Sequence, residues 1–336
     1  MDRISQIGKI TILGDGGWGT TLARLLALKG YKVRLWGAFK KNIQAIIKAR
    51  VNQKFLPGIK LPDTIRLTWD LPLAVQEAGL IVLAIPSPYL RKVLKRLKHL
   101  DISSAKFLTV IKGIETKTLM RISQVIRQEL KKGIGLAVLS GPTIALEVAK
   151  GIPTTAVISS PDKKLAQSLQ HIFMTERFRI YTNPDMIGVE LGGSLKNIIA
   201  IACGICDGLG FGANTKAALL TRGLVEISRL GAAMGAQKDT FSGLSGLGDL
   251  VTTCISPYSR NRYLGEQIGK GKRLKKILSE TEMVAEGVTT AKSAYQLSKK
   301  YKISMPITEQ VYLVLYKNKI PLKAVNDLMT RERKEE

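Results

Sequence analysis

The residues that could do chemistry are a glycine loop, two isolated lysines and a cluster of Asp, Arg and Asn. Lys9–Gly19 reads KITILGDGGWG, an apolar strand at Ile10–Leu13 running into Gly14, Gly16 and Gly19, with helically spaced apolar residues from Thr20 to Leu26. This is G-x-G-x-x-G between a strand and a helix, the arrangement that binds a dinucleotide pyrophosphate. Gly14 permits the tight turn, Gly16 lets a pyrophosphate reach the backbone, and Gly19 lets the helix pack on the strand. The helix N-terminus then offers N–H groups to the anion. A merely structural glycine turn would carry the same letters; the flanking strand and helix favour the nucleotide.

Lys112 directly follows the apolar strand Phe107–Ile111. There it either faces a cleft or is a solvated loop lysine. Lys196 opens a segment that reads as fully buried, where an ammonium is costly unless it faces a cleft or a partner. Asp249 sits in a glycine-rich turn, Gly243–Gly248, and Ser259-Arg260-Asn261-Arg262 follows. An arginine grips phosphate with a bidentate fork, and a neighbouring Asn adds donors. Glu286 precedes a helix and, taken alone, could equally be a surface residue. Cys203-Gly204-Ile205-Cys206 has the C-x-x-C form but lies in an Ala/Ile helix, where two small core residues are the simpler reading. Only Cys254, His99 and His171 could complete a Cys/His metal site, so no metal is expected.

These groups need elements to hold them. Strands read at Ile10–Leu13, Tyr31–Trp36, Ile65–Trp69, Leu80–Ile85, Phe107–Ile111, Leu136–Leu139, Thr155–Ile158 and Arg179–Tyr181. Helices alternate with them at Asn42–Ala49, Leu73–Ala78, Leu90–Leu100, Leu119–Leu130 and Leu165–Phe173. The unbroken apolar run LIVLAI suits a strand buried on both faces. Repeated β-α units predict an α/β Rossmann-like, doubly wound, mostly parallel sheet, whose ligands bind beyond the carboxyl ends of the strands. Polar groups stand at three such ends: Pro86-Ser87, Lys112-Gly113 and Ser140-Gly141-Pro142-Thr143. After Asn183-Pro184-Asp185 the period-2 pattern stops. Helices at Leu195–Cys203, Thr215–Met234, Arg262–Ile268, Thr289–Lys300 and Pro306–Lys317 predict an all-helical C-terminal domain. The expected organisation is a nucleotide-binding domain over 1–184, a helical substrate and catalytic domain over 185–330, and a charged tail over 331–336.

Composition bounds the function. Hydrophobic residues make up 45% of the 336, enough for a compact protein, and the length favours two domains. No apolar run is read as reaching the roughly 18 residues of a membrane span. The start, MDRISQIGKI, lacks a signal-peptide core, and three cysteines do not make a disulfide framework, so the expected location is cytoplasmic. Lys plus Arg number 52 against 26 Asp plus Glu, a net charge of +26. That balance invites a nucleic-acid reading. The basic pairs, however, are spread along the chain, among them Lys40-Lys41, Arg91-Lys92, Lys95-Arg96 and Lys131-Lys132. Most read as polar faces of amphipathic helices, so no nucleic-acid partner is expected. A field of this sign would also draw in small anions.

Together these motifs resemble the NAD(P)-dependent glycerol-3-phosphate dehydrogenases of bacterial type. The likeness runs through GDGGWG, VIKGIE at Val110–Glu115, SGPTIA at Ser140–Ala145, the long block GSLKNIIAIACGICDGLGFGAN at Gly193–Asn214, GLGDLVTTC at Gly246–Cys254, SRNR and MVAEGV. The resemblance implies interconversion of dihydroxyacetone phosphate and sn-glycerol 3-phosphate by hydride transfer with NAD or NADP, supplying the backbone of membrane phospholipids. It implies Lys196 as the catalytic lysine, with Asn197 and Thr253 in its polar network. Lys112, Gly141, Thr143, Asp249, Ser259, Arg260 and Asn261 match substrate positions. Gly17, Trp18, Lys112, Ala145, Arg260, Val284 and Glu286 match cofactor positions beside Gly14, Gly16 and Gly19. The lysine's pKa would be lowered by the cations around it, and Asp249 would orient it by a hydrogen bond. A small phosphorylated substrate is the expected partner; a homodimer and transient contact with a membrane surface are compatible with the sequence.

The chain departs from the family in three places. Asp15 replaces a commoner Ala in the glycine loop. Ser194 stands where Ala or Thr is usual. Trp36-Gly37-Ala38 offers neither the acid that takes the ribose hydroxyls of NAD nor a neighbouring Arg, and Lys40 or Lys41 could pair with a 2′-phosphate only less directly, so the choice between NAD and NADP stays open, leaning to dual use. The competing readings are another dehydrogenase of this architecture, of hydroxyacyl or 6-phosphogluconate type, a nucleotide sensor without turnover, and a basic nucleic-acid-binding protein.

Overall fold

The computed structural model describes residues 8–130, 133–280, 284–333 and 335; Met1–Ile7, the Lys131-Lys132 pair and Met283, all read above, lie outside them. The chain divides into two units. One takes the chain up to Ile111 together with Ile122–Met186, the other Lys112–Arg121 together with the chain from Ile187.

The first unit is built from β1 (Lys9–Leu13), α1 (Gly17–Leu28), β2 (Lys32–Trp36), α2 (Lys40–Ala49), β3 (Arg66–Thr68), α3 (Leu71–Val75), β4 (Ala78–Leu83) and α4 (Ser87–Leu97). It continues with β5 (Lys106–Thr109), α5 (Ile122–Leu130), β6 (Leu136–Ser140), α6 (Ala145–Ala149), β7 (Thr154–Ser159), α7 (Lys163–Phe173) and β8 (Phe178–Asn183). The eight strands form one sheet in the order β3-β2-β1-β4-β5-β6-β7-β8. Every pairing is parallel except β6 with β7. Helix-covered faces explain the apolar central strands: Leu80, Ile81, Val82 and Leu83 are all buried.

The second unit contains α8 (Met186–Gly208), α9 (Ala213–Ala233), α10 (Asp249–Ile255), α11 (Arg260–Gly269), α12 (Leu274–Glu280), α13 (Glu286–Lys300), α14 (Pro306–Lys317) and α15 (Pro321–Met329). A 3₁₀ turn at Lys238–Ser242 and a π-type turn at Leu244–Gly248 lead into α10. Among the described residues this unit holds no strand. Its core gathers around α8, whose Leu191, Leu195, Ile198, Ile199 and Cys203 are sealed from solvent.

Three expectations are corrected. First, a run of span-like length does exist: α8 has 23 residues and enough apolar character to cross a membrane, but its 18-residue apolar stretch is entirely buried within the protein. Second, the helix expected from Leu119 begins only at Ile122, because Leu119 is left-handed (φ 60°) and Arg121 is bridged to Ile114. Third, 1–184 is not one piece. Lys112–Arg121 belongs to the helical unit, whose core takes Ile114.

Candidate active site

The Gly14–Gly19 loop makes the expected turn from β1 into α1. Gly14 turns with φ 126°, and a Cβ there would lie 2.4 Å from the Ala84 carbonyl oxygen. At Gly19 a Cβ would lie 2.0 Å from the Gly14 oxygen, so α1 starts directly against the turn. Gly16 is different: its Cβ would meet nothing within 4 Å. The space before the first turn of α1 is therefore open, and no side chain caps that turn. Residues lining the loop thus fit a pyrophosphate. Ala145 opens α6 beside it; its Cβ is 3.7 Å from a Cβ built on Gly17, and Thr21 Oγ1 donates to its carbonyl at 3.0 Å. Trp18 packs edge-on to Phe178, its indole nitrogen buried without a partner. Sequence reading missed Asn52, which is fully buried and donates from Nδ2 to the Asp15 carbonyl (2.8 Å) and to Thr20 Oγ1 (2.9 Å). A lone Asn in a loop gives no pattern from which to find it.

Gly141 and Thr143 also belong to the first unit. Gly141, with φ 135°, makes the turn after β6, and Thr143 Oγ1 donates to its carbonyl at 3.1 Å.

In the second unit the structure brings Lys196, Lys112, Asp249, Thr253, Asn197 and Asn261 together. Lys196 Nζ donates to Asp249 Oδ1 (2.6 Å) and to Thr253 Oγ1 (2.5 Å). Lys112 Nζ takes the other carboxylate oxygen, Oδ2, at 2.7 Å. Two ammonium groups thus share one buried carboxylate. Burial is the main reason the Lys196 ammonium is pulled down to about 8; Asp249 opposes this and Lys112 adds to it. The sequence reading credited neighbouring cations, which turn out to be the smaller cause.

Backbone packing sets this geometry. Gly192 stands one turn before Lys196 on α8, and a Cβ there would lie 2.5 Å from the Ser245 carbonyl oxygen. The π-type turn therefore lies directly on α8 and delivers Asp249 to Lys196. Lys112 is held from α8 and α13: Ser194 Oγ donates to the Gly113 carbonyl (3.2 Å) and Ser293 Oγ to that of Ile114 (3.3 Å). Asn197 Nδ2 reaches the Lys112 carbonyl at 3.5 Å. Ser194, which looked like a minor departure, is one of these anchors.

Asn261 is already committed. Its Nδ2 donates to Asn197 Oδ1 (2.9 Å), and its Oδ1 accepts from the Gly287 N–H (2.9 Å). Ser259 caps α11 by accepting from the Arg262 N–H at 3.2 Å. Arg262 is paired with Asp207 at 2.7 Å, whereas Arg260 is exposed at the first residue of α11. Val284 and Glu286 lie just before and at the start of α13, both half-buried. Cys203 and Cys206 are buried free thiols of the α8 core, and burial pushes Cys206 up to about 12. Among the described residues no group of three or more His, Cys, Asp or Glu could hold a metal.

Comparison with known proteins gives two family-model matches that together span most of the chain. Residues 9–166 match the N-terminal domain of NAD-dependent glycerol-3-phosphate dehydrogenase, and 185–326 match its C-terminal domain. The glycerol-3-phosphate dehydrogenase [NAD(P)+] of Fusobacterium nucleatum is 50% identical over 327 residues, 97% of this chain and 98% of that one. That of Pelotomaculum thermopropionicum is also 50% identical, over 96% of this chain and 93% of its own. The crystal structure of the Coxiella burnetii glycerol-3-phosphate dehydrogenase superposes with a TM-score of 0.93 at 39% identity, covering 96% of this chain and 99% of that one. D-mandelate dehydrogenase (14% identity, TM-score 0.62) shares the fold alone. The other dehydrogenase types and the nucleic-acid reading are not favoured: the chain belongs to the NAD-dependent glycerol-3-phosphate dehydrogenases.

Proposed function

We propose that the protein interconverts dihydroxyacetone phosphate and sn-glycerol 3-phosphate with NADH or NADPH, Lys196 moving the proton. The observation that carries this reading is the pairing of Lys196 and Lys112 on the two oxygens of the buried Asp249. The first unit serves as the nucleotide-binding part and the second as the substrate part.

When bound, the nicotinamide supplies a hydride to the ketone carbon. As charge gathers on the ketone oxygen, Lys196 Nζ gives it a proton, and in the reverse direction takes it back. An ammonium lowered to about 8 can do both near neutral pH. Asp249 and Thr253 fix the direction of Nζ, and Lys112 adds the second positive charge that favours the developing oxyanion. Arg260, exposed at the start of α11, binds the substrate phosphate with the help of that helix's N-terminus. Asn261 and Asn197 act by positioning, joining α11, α8 and the start of α13. By family resemblance Gly141, Thr143 and Ser259 attend the substrate, and Gly14, Gly16, Gly17, Trp18, Gly19, Ala145, Val284 and Glu286 attend the cofactor. The product is the backbone of glycerophospholipids. A cytoplasmic location fits three cysteines that are all free thiols.

The test follows NADH and NADPH oxidation with dihydroxyacetone phosphate and with dihydroxyacetone. Rapid oxidation is expected only with the phosphorylated ketone. Lys196→Met should keep cofactor binding and lose on the order of 10³ in turnover. Near-normal turnover of that variant removes Lys196 from the mechanism.

A further inference from the structure

The NAD-type Rossmann ribose is ordinarily held by an acid at the end of the second strand, where this chain has Gly37. The structure nevertheless puts a carboxylate there, from a different part of the chain. The Asp15 side chain turns away from the open space at Gly16 and lies over Gly37: its Cγ and Oδ2 would each be 2.6 Å from a Cβ built on Gly37. It fills the place that a side chain at 37 would take. Asn42, in the first turn of α2, donates to Asp15 Oδ2. The Asp15 carbonyl is fixed as well, by Asn52 Nδ2 at 2.8 Å and Thr20 Oγ1 at 3.3 Å. β1 and β2 are joined at this end by the Gly14 N–H on the Trp36 carbonyl, 2.9 Å. Both the backbone and the side chain of Asp15 are therefore set.

Resting on the reading of Gly14–Gly19 as the pyrophosphate loop, we propose that Asp15 is the residue that reads the cofactor's ribose, accepting from a 2′-hydroxyl and repelling a 2′-phosphate. The enzyme then prefers NADH to NADPH, although the end of its second strand carries no acid. The lysines nearby do not reverse this. Lys40 lies over the Trp69 ring, 5.2 Å from its centroid, and Lys54, which attracts Asp15 electrostatically, lies 5.2 Å from the centroid of Phe55. Once the carboxylate is gone, the repulsion of a 2′-phosphate goes with it, while the Lys54 charge that acted on Asp15 remains.

The test is direct binding by calorimetry of NADH, NADPH, ADP-ribose and 2′-phospho-ADP-ribose to the full chain and to Asp15→Asn. Asp15→Ala, which keeps the main-chain carbonyl held by Asn52 and Thr20, is the second variant should Asp15→Asn not fold. The parent should bind NADH and ADP-ribose at least tenfold more tightly than their 2′-phosphorylated forms. The variants should shrink that ratio at least tenfold, through tighter binding of the phosphorylated forms. Equal affinities in the parent, or an unchanged ratio in folded variants, overturn the role of Asp15 and leave the pyrophosphate loop standing. No binding of any of the four to the parent overturns the loop reading and the Asp15 role together.

Discussion

Lys196 Nζ lies 2.6 Å from Asp249 Oδ1, and both groups are almost completely buried. Sequestering the ammonium pulls its pKa down to about 8 from 10.5. In the proposed mechanism the ketone reduction uses this lysine protonated, so kcat/KM for dihydroxyacetone phosphate should fall as pH rises through about 8. Oxidation of glycerol 3-phosphate needs it neutral, and should rise through the same range. Asp249 raises this pKa and Lys112 lowers it. The limb should move to lower pH in Asp249→Asn and to higher pH in Lys112→Met, each seen in the pH profile of residual activity. Movement of both limbs in the same direction would mean that some other group sets the profile.

Arg260 and Arg262 sit two residues apart but meet different surroundings. Arg262 is held by Asp207, and Arg260 is exposed at the head of α11. Arg260→Ala should raise the KM for dihydroxyacetone phosphate on the order of tenfold to a hundredfold, the size of a charged hydrogen-bonded contact. The slow turnover of dihydroxyacetone, which has no phosphate, should not change. Equal losses with the two ketones would place Arg260 outside phosphate recognition.

Gly192 tests whether backbone packing, rather than the charged groups alone, builds the pair. A methyl group there would meet the Ser245 carbonyl at 2.5 Å and push the Leu244–Gly248 turn, with Asp249 behind it, away from α8. Gly192→Ala should cost about 1–3 kcal/mol in urea unfolding, as overpacking does. It should also lower kcat more than it raises the KM for dihydroxyacetone phosphate. Unchanged stability with normal kcat would show that the turn can shift without harm.

Most of the fold was legible because its signals are local. The glycine loop lies between a strand and a helix, LIVLAI reads as a doubly buried strand, and α8 and α9 carry long Ala- and Leu-rich patterns. What escaped reading depends on contacts between distant residues. Nothing near Lys112 shows that its segment leaves the sheet to join the helices, because that follows from Ile114 entering their core and from Ser194 and Ser293 holding its backbone. Asn261 reads as a phosphate donor beside Arg260, yet its amide joins Asn197 to Gly287. The acid missing after β2 is supplied by Asp15, more than twenty residues earlier, which no spacing rule anticipates.

Glu226 gives a prediction away from the chemistry. It is buried on α9, accepting from the Ile307 N–H at 2.6 Å, and from the Thr308 N–H at 3.1 Å and Oγ1 at 3.0 Å, so that it caps α14 from another helix. Burial pushes its carboxyl up to about 7, against the pull of those hydrogen bonds, from an ordinary 4.5. The native state thus holds this proton more tightly than the unfolded chain does. The resulting stability is full below about 4.5 and is lost as pH rises through about 7. A shift of this size corresponds to on the order of 3 kcal/mol. Between pH 5 and pH 8 the parent should lose stability relative to Glu226→Gln, whose amide does not titrate. Urea midpoints for both proteins at the two pH values measure the difference. A constant gap would mean that Glu226 stays ionised across this range, with the amides at the head of α14 outweighing its burial.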